Sequence, residues 1–191
     1  MAEWVRSEFI LGGQRSGKSR RAEALARQWL DGSPAHRAVM IATAQAWDDE
    51  MRQRISRHQI DRALRVPGML TVEEPAALAE TLRQRSDERT LIVIDCLTLW
   101  LTHLMMPLDP AQALPDAAVV VAGEGLCAAI AAAPGPVVLV GNEIGLGVIP
   151  IGHEVRAFVD ALGRLNQQVA ATCERVTLMA AGLPLTLKDC R

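Results

Sequence analysis

Aromatic side chains and net charge are both scarce in this chain. Its 191 residues include four Trp, two Phe and no Tyr, and the formal net charge is −2. Proteins that hold single-stranded nucleic acid stack bases on aromatic rings in a basic groove, so these two shortages predict no nucleic-acid partner. The composition instead favours a small-molecule partner.

Long apolar runs and closely spaced cysteines are also absent from the sequence. No uninterrupted apolar stretch of about 18 residues occurs, so no membrane span is expected. The charged N-terminal segment lacks the apolar centre of a signal peptide. The four cysteines lie far apart, at Cys96, Cys127, Cys173 and Cys190. We therefore expect reduced thiols and a cytoplasmic location rather than disulfides or a zinc site.

Apolar segments of strand length alternate with segments of helical composition along the chain. The sequence predicts strands at 9–11, 38–42, 90–94, 136–140, 176–179 and 183–187. It predicts helices at 18–30, 48–64, 76–85, 97–105, 119–132 and 154–173, and a surface loop at 107–115. Such alternation is typical of an α/β fold whose mostly parallel sheet carries helices on both faces. The length indicates a single domain over residues 1–191.

A phosphate-binding loop follows the first predicted strand. Residues 12–19 read GGQRSGKS, which matches the pattern Gly-x-x-x-x-Gly-Lys-Ser/Thr. The glycines let the backbone turn so that its N–H groups surround phosphate oxygens at the start of a helix. The lysine brings a charge to the β- and γ-phosphates, and the last hydroxyl is a ligand for Mg²⁺. The residues predicted to bind a nucleoside triphosphate are Gly12, Gly13, Gln14, Arg15, Ser16, Gly17, Lys18 and Ser19.

A second element of such sites is the acidic residue that ends an apolar strand. The sequence LIVID at 91–95 places Asp95 in that position. Asp95 could hold Mg²⁺ together with Ser19, or it could cap the helix that follows. The upstream phosphate loop favours the magnesium site formed by Ser19 and Asp95.

The segment 47–65 has an unusual pattern of basic residues. Arg54, His58 and Arg62 recur at a spacing of four, so a helix would place them on one face. One interpretation is a solvated basic face, balanced by acidic residues in the first turn of the helix. The other makes His58 a nucleophile toward a nucleotide α-phosphate, with arginines neutralising the phosphate charge. The spacing leaves both interpretations open.

Polar residues also follow the apolar segment 137–140. Asn142 and Glu143 stand where the carboxyl end of a parallel strand faces the ligand crevice of a doubly wound sheet. Glu143 could lie near the substrate or metal, or it could cap a turn with Gly145 and Gly147. Both alternatives remain open from the sequence.

The chain as a whole resembles the bifunctional adenosylcobinamide kinase / adenosylcobinamide-phosphate guanylyltransferases of cobalamin biosynthesis. The resemblance rests on segments that occur in family order along nearly the whole chain. They are GGQRSGKSRRAEALA (12–26), IATAQAWDDEMRQRISRHQIDR (41–62), TVEEPAAL (71–78), LIVIDCLTLWLTHLM (91–105), VVLVGNEIGLGVIP (137–150), FVDALGRLNQQVA (158–170) and AGLPLTLK (181–188).

This resemblance implies a P-loop NTPase fold of the RecA-like type and two reactions. ATP or GTP would phosphorylate the hydroxyl of adenosylcobinamide, and GTP would then guanylylate a histidine, here His58, which passes GMP to the cobinamide phosphate. Catalytic roles would thus fall on His58 and Lys18, with Mg²⁺ as cofactor. The further nucleotide-binding residues implied by the resemblance are Ala42, Thr43, Ala44, Gln59, Ile60, Asp61, Arg62, Glu73 and Asp95. It also implies a homo-oligomer, specifically a trimer.

Two other functions compete with this one. A plain small-molecule or nucleoside kinase would phosphorylate its substrate without a covalent GMP adduct. A nucleotide-gated switch would bind GTP and a protein partner, turn over slowly and show no dependence on a corrinoid.

Overall fold

The computed structural model of this chain describes residues 4–190 and, within that range, every side chain except that of Arg54. The strands are β1 (Ser7–Gly12), β2 (Arg37–Ala42), β3 (Leu70–Glu73), β4 (Thr90–Asp95), β5 (Val137–Val140), β6 (Arg175–Ala180) and β7 (Leu183–Asp189). The helices are α1 (Lys18–Gly32), α2 (Asp49–Arg65), α3 (Leu78–Arg85), α4 (Leu97–Met105), α5 (Asp116–Ala132) and α6 (His153–Thr172). A short 3₁₀ helix, Pro110–Gln112, interrupts the predicted loop at 107–115.

All seven strands form one sheet in the order β3-β2-β4-β5-β1-β6-β7. Every neighbouring pair is parallel except β6 and β7, which are antiparallel. The carboxyl ends of β1 to β6 therefore lie along a single edge of the sheet. In parallel sheets ligands bind outside that edge, so it is the first place to look for a site.

Helices cover both faces of the sheet, as the alternation predicted. Along β4, Ile92 and Ile94 belong to a core cluster that includes residues of α3, α4, α5 and α6. Leu91 and Val93, which point to the opposite face, belong to a second cluster that includes residues of α1. The continuous apolar run of β4 is thus explained by burial on both sides of the sheet. Among residues 4–190, no helix combines the length and apolar character needed to span a membrane.

Strand β3 is the element that the sequence pattern does not predict. It is only four residues long and lies at the edge of the sheet, paired with β2 alone. Leu70 and Thr71 are exposed, so the strand has no run of buried residues that would mark it in the sequence. All the strands and helices that the sequence predicts are confirmed, with their ends shifted by up to three residues.

A buried carboxylate fixes the first helix to the first strand. Glu8 in β1 is 1% exposed, and its Oε1 accepts hydrogen bonds from Arg21 Nε and Thr177 Oγ1, both at 2.8 Å. The guanidinium of Arg175 lies 3.7 Å from Oε2. A carboxylate is retained in a sheet interior only where such partners offset its lost hydration. Because Arg21 stands in the first turn of α1, this cluster holds the start of that helix in place behind the loop at 12–19.

Candidate nucleotide site

The loop between β1 and α1 turns through backbone conformations that favour glycine. Gly12 and Gly17 adopt φ values of 153° and 101°, and Arg15 has a φ of 56°. No side chain caps the N-terminus of α1, and its first turn contains no acidic residue. The amides at this helix end are therefore available to an anion, which the helix dipole also favours.

The hairpin turn between β6 and β7 supports this loop from the side. Gly182 N donates a hydrogen bond of 3.0 Å to Ser16 O, and Met179 packs beside Gly12 and Gly17. Sequence reasoning missed this contribution because the hairpin is more than 160 residues away along the chain and carries no recognisable motif.

We expect Gly12→Ala to destabilise the protein. A Cβ at this position would lie 2.4 Å from Met179 O and 2.6 Å from Ser16 Oγ, and the backbone φ is one that side chains rarely adopt. The free energy of unfolding should fall by about 3 kcal/mol in urea titrations. Gly13→Ala is the matched control, because a Cβ there would meet nothing within 4 Å. Equal stability of the two variants would contradict this account of the loop.

Lys18 is buried beneath the loop and contacts its backbone. Its Nζ donates to Gly12 O at 2.8 Å and to Gly13 O at 2.6 Å, and it lies 3.4 Å from Ser16 Oγ. Burial lowers the pKa of this amine, an effect that the nearby Cys96 and Asp95 partly oppose. The ammonium is thus poorly hydrated and surrounded by loop atoms, so an anion in the loop would interact with it strongly.

Asp95 lies at the carboxyl end of β4, close enough to Lys18 for their charges to interact. Cys96, and not Asp95, is the N-cap residue of α4, and no side chain caps that helix. The capping alternative for Asp95 is therefore wrong. Ser19 is the second residue of α1, and its side chain is half-buried.

The donor set formed by Ser19 and Asp95 fits Mg²⁺. This ion is usually held by one or two protein oxygens together with waters and substrate phosphates. Ser19 offers a hydroxyl directly after the phosphate loop, and Asp95 offers a carboxylate at the end of β4, so the two donor types match that pattern. Among the described residues, no cluster of three or more acidic, His or Cys side chains forms a cage for a metal.

Thr43, in the second predicted nucleotide segment, uses its hydroxyl within the fold. The side chain is 1% exposed, and Oγ1 donates to Cys96 O at 2.7 Å and accepts from Cys96 N at 2.9 Å. Thr43 N also donates to Asp95 O. The hydroxyl therefore links the ends of β2 and β4. Its neighbours Ala42 and Ala44 are half-buried at the same edge of the sheet.

We expect Thr43→Val to reduce stability more than nucleotide affinity. The change removes two hydrogen bonds and leaves the buried Cys96 N–H without an acceptor, which should cost about 1–3 kcal/mol of unfolding free energy. Thr102→Val provides the control, since that hydroxyl donates only to Thr98 O within α4. A large rise in the Kd for GTP at unchanged stability would show instead that the Thr43 hydroxyl contacts the nucleotide.

The remaining predicted site residues gather around α2 and the edge strand β3. Gln59 Nε2 donates to Glu73 Oε1 at 3.2 Å, and Arg62 NH1 donates to Thr71 Oγ1 at 3.2 Å. Arg62 is buried, and its Nε has no hydrogen-bond partner. His58 is exposed to solvent. Of the other predicted residues, Ile60 is exposed and Asp61 pairs with Arg65.

The strand register separates this group from the phosphate loop. Glu73 pairs with Ala42, Ala42 with Asp95, Asp95 with Val140 and Val140 with Ile10, so one row crosses five strands. Four strand spacings of about 4.8 Å separate β3 from β1, which amounts to about 19 Å. The structure thus brings Gln59 close to Glu73 at one end of this row and places Lys18 behind the phosphate loop at the other end, with Asp95 between them on β4.

Glu143 lies directly beside the phosphate loop. Its backbone N–H donates to Gly12 O at 3.1 Å, while its Oε1 accepts from Gly145 N at 2.8 Å. The turn-capping alternative therefore describes its side chain. Two residues without a predicted role hold the same segment, because Thr98 Oγ1 accepts from Asn142 N and Asn166 Nδ2 donates to Asn142 O.

Sequence comparisons show one family and several relatives to which this chain is similar. The family model described as cobinamide kinase / cobinamide phosphate guanyltransferase matches residues 8–187. The bifunctional adenosylcobalamin biosynthesis protein CobP of Pseudomonas aeruginosa is 45% identical over 181 residues, covering 95% of this chain and 96% of the relative. The bifunctional protein CobU of Escherichia coli is 35% identical over 188 residues, covering 94% and 98%.

Solved structures support the fold class. The flagellar accessory protein FlaH from Methanocaldococcus jannaschii superposes with a TM-score of 0.52 at 13% identity, covering 96% of this chain and 78% of that one. A protein from Pyrococcus horikoshii gives a TM-score of 0.53 at 11% identity, covering 99% and 89%. The α/β fold expected from the sequence, a mostly parallel sheet with helices on both faces, is confirmed. Matches over nearly the full length show that the chain belongs to the cobinamide kinase / cobinamide phosphate guanyltransferase family.

Proposed function

We propose that this protein phosphorylates adenosylcobinamide with ATP or GTP and then transfers GMP from GTP, through a guanylyl-histidine on His58, to give adenosylcobinamide-GDP. The observation that carries the proposal is the phosphate loop at the end of β1, with Lys18 buried beneath it and Asp95 nearby, in a chain that matches this family over residues 8–187.

In the first step the corrinoid hydroxyl oxygen attacks the γ-phosphorus, and the bond from that phosphorus to the β-phosphate oxygen breaks. The proton of the hydroxyl leaves to solvent or base. Such a transfer depends on positioning and charge neutralisation more than on covalent help from the protein. The loop amides and Lys18 would bind the phosphates, and Ser19 and Asp95 would hold Mg²⁺. When bound, this ion neutralises charge that develops on the phosphate oxygens.

In the second step an imidazole nitrogen of His58 attacks the α-phosphorus of GTP, and pyrophosphate leaves. A phosphate oxygen of the cobinamide phosphate then attacks the same phosphorus, breaks its bond to nitrogen and forms the diphosphate. The covalent adduct divides a difficult transfer into two easier ones. Arg57 and Arg62, on the same helix as His58, supply positive charge near this position.

Strands β1 and β3 lie about 19 Å apart, so the phosphate loop after β1 is separated from the helix α2 beside β3, which carries His58. We propose that α2 moves between the kinase and guanylyl steps. Among the described residues, three side-chain hydrogen bonds join it to the rest of the fold: Arg65 with Glu23, Gln59 with Glu73 and Arg62 with Thr71. A short bifunctional thiol reagent that bridges Glu23→Cys and Arg65→Cys, in place of the present ion pair, would hold α2 on α1. Full activity in both steps after this crosslinking would refute the movement.

The proposed function is tested by following two phosphates of GTP into the product. In parallel reactions with adenosylcobinamide and Mg²⁺, GTP carries its label at the γ- or at the α-phosphate. Both labels should enter the corrinoid, because the γ-phosphate becomes the inner phosphate and the α-phosphate arrives with GMP. Entry of the γ-label alone would indicate a plain kinase. Entry of neither, at concentrations where GTP binds, would indicate a nucleotide-gated switch.

A further inference from the structure

Part of the segment between β5 and α6 is an exposed loop with no polar side chain. Residues 144–152 read IGLGVIPIG. Leu146, Val148, Ile149 and Ile151 are between 78% and 96% exposed. Loops are usually polar, and contiguous exposed aliphatic side chains mark a surface that contacts another molecule. We call residues 144–151 the aliphatic loop.

Both ends of the aliphatic loop are attached to the fold. At its start, Glu143 N donates to Gly12 O in the phosphate loop, and Glu143 Oε1 accepts from Gly145 N. At its end, Arg156 NH1 donates to Pro150 O at 3.0 Å and to Ile151 O at 2.6 Å. The loop thus begins at the phosphate-binding residues and extends outward from them, with its path set at both ends.

We infer that the aliphatic loop binds the corrin ring of the substrate. This inference rests on the proposed function and adds the contact surface for the acceptor. The reacting hydroxyl of a cobinamide stands at the end of one side arm, so the ring must lie outside the phosphate site yet within reach of it. The ring carries many alkyl substituents and uncharged amide arms, and an uncharged aliphatic surface adjoining Gly12 matches that chemistry.

The position of the loop favours this occupant over a second copy of the chain. The aliphatic loop adjoins the phosphate loop through Glu143. A separate exposed apolar surface, Leu183, Leu185 and Leu187, lies on the edge strand β7. Edge strands with exposed apolar residues are common places for chains to associate, so self-association does not require the aliphatic loop.

The test is the double variant Val148→Ser/Ile151→Ser of the full chain. Both side chains are 96% exposed, so their replacement should leave the core intact. We expect the KM for adenosylcobinamide in the kinase step to rise about 30-fold, because two aliphatic contacts are lost. The KM for GTP and the labelling of the protein by α-labelled GTP alone should not change. Leu108→Ser/Val121→Ser is the control, since these residues are also exposed but lie elsewhere.

Three results would overturn the inference. They are an unchanged KM for the corrinoid, an equal rise in the control variant, or a smaller particle mass in sedimentation, which would identify the loop as a contact between copies. Equilibrium dialysis with cobinamide, followed by its visible absorbance, measures the same affinity without turnover. The wild-type chain could bind cobinamide but transfer no GMP, while the variant Val148→Ser/Ile151→Ser no longer binds cobinamide. In that case the proposed function fails, and the inference that the aliphatic loop binds the corrin ring is retained.

Discussion

His58→Ala should abolish GMP transfer while leaving the kinase step intact. Without an imidazole at this position no covalent adduct can form, so incorporation of the α-phosphate label into the corrinoid should fall by at least about a thousandfold. Incorporation of the γ-phosphate label should stay close to that of the wild type, because His58 lies on α2 and the phosphate loop follows β1. His58 is exposed, so its loss should not disturb the core.

His153→Ala is the matched control for this experiment. His153 is also exposed and begins α6, and no role in the chemistry falls to it. Its replacement should leave the transfer of both labels unchanged. If His58→Ala retained GMP transfer within about tenfold of the wild type, the nucleophile would have to be another residue.

The second large effect is expected for Lys18→Ala, which should reduce the kcat of the kinase step by about a thousandfold. Lys18 is 7% exposed and its ammonium is held by two carbonyls of the loop, so its charge is little screened by water. Removing one preorganised positive group from such a site typically costs two to three orders of magnitude in rate. Stopped assays of corrinoid phosphorylation at saturating GTP measure the change.

Two further variants separate the charge of Lys18 from the shape of the loop. Lys18→Arg keeps the charge, but its wider planar head does not fit between the carbonyls of Gly12 and Gly13, so it should rescue little activity. Arg15→Ala removes an exposed charge from the same loop and should have a far smaller effect. A kcat for Lys18→Ala within tenfold of the wild type would contradict the assignment, provided that thermal unfolding shows an intact fold.

The position and backbone of the loop before α1 could be predicted, because the backbone itself dictates the motif. The loop at 12–19 needs glycine at two positions with positive φ, a lysine and a hydroxyl at the start of a helix, and few other structures impose that combination. The place of Asp95 at the carboxyl end of β4 could also be predicted, because β4 is buried on both faces and its apolar run ends at this residue.

Other parts of the fold depend on contacts between distant segments, and no local pattern reveals them. Glu8 is charged within a buried strand, and only its partners Arg21, Arg175 and Thr177 explain why the fold tolerates it. The support of Ser16 by Gly182 crosses most of the chain in the same way.

The segments around Thr43 and Glu73 could be predicted only in part. Thr43 could be placed at the site by resemblance, but its hydroxyl bonds to Cys96, which the sequence does not suggest. Strand β3 could not be predicted because an edge strand of four residues needs no buried run. Yet β3 provides Glu73, which contacts Gln59 and links α2 to the sheet.

The most direct test of the central claim is to incubate the wild-type chain with GTP labelled at the α-phosphate and Mg²⁺, without any corrinoid. The protein is then denatured, and the position of the label is mapped by mass spectrometry of its peptides. Our account predicts one GMP per chain on His58, bound through a nitrogen–phosphorus bond that acid cleaves and alkali leaves intact. A chain that binds GTP but carries no label, or carries it on another residue, would contradict the account.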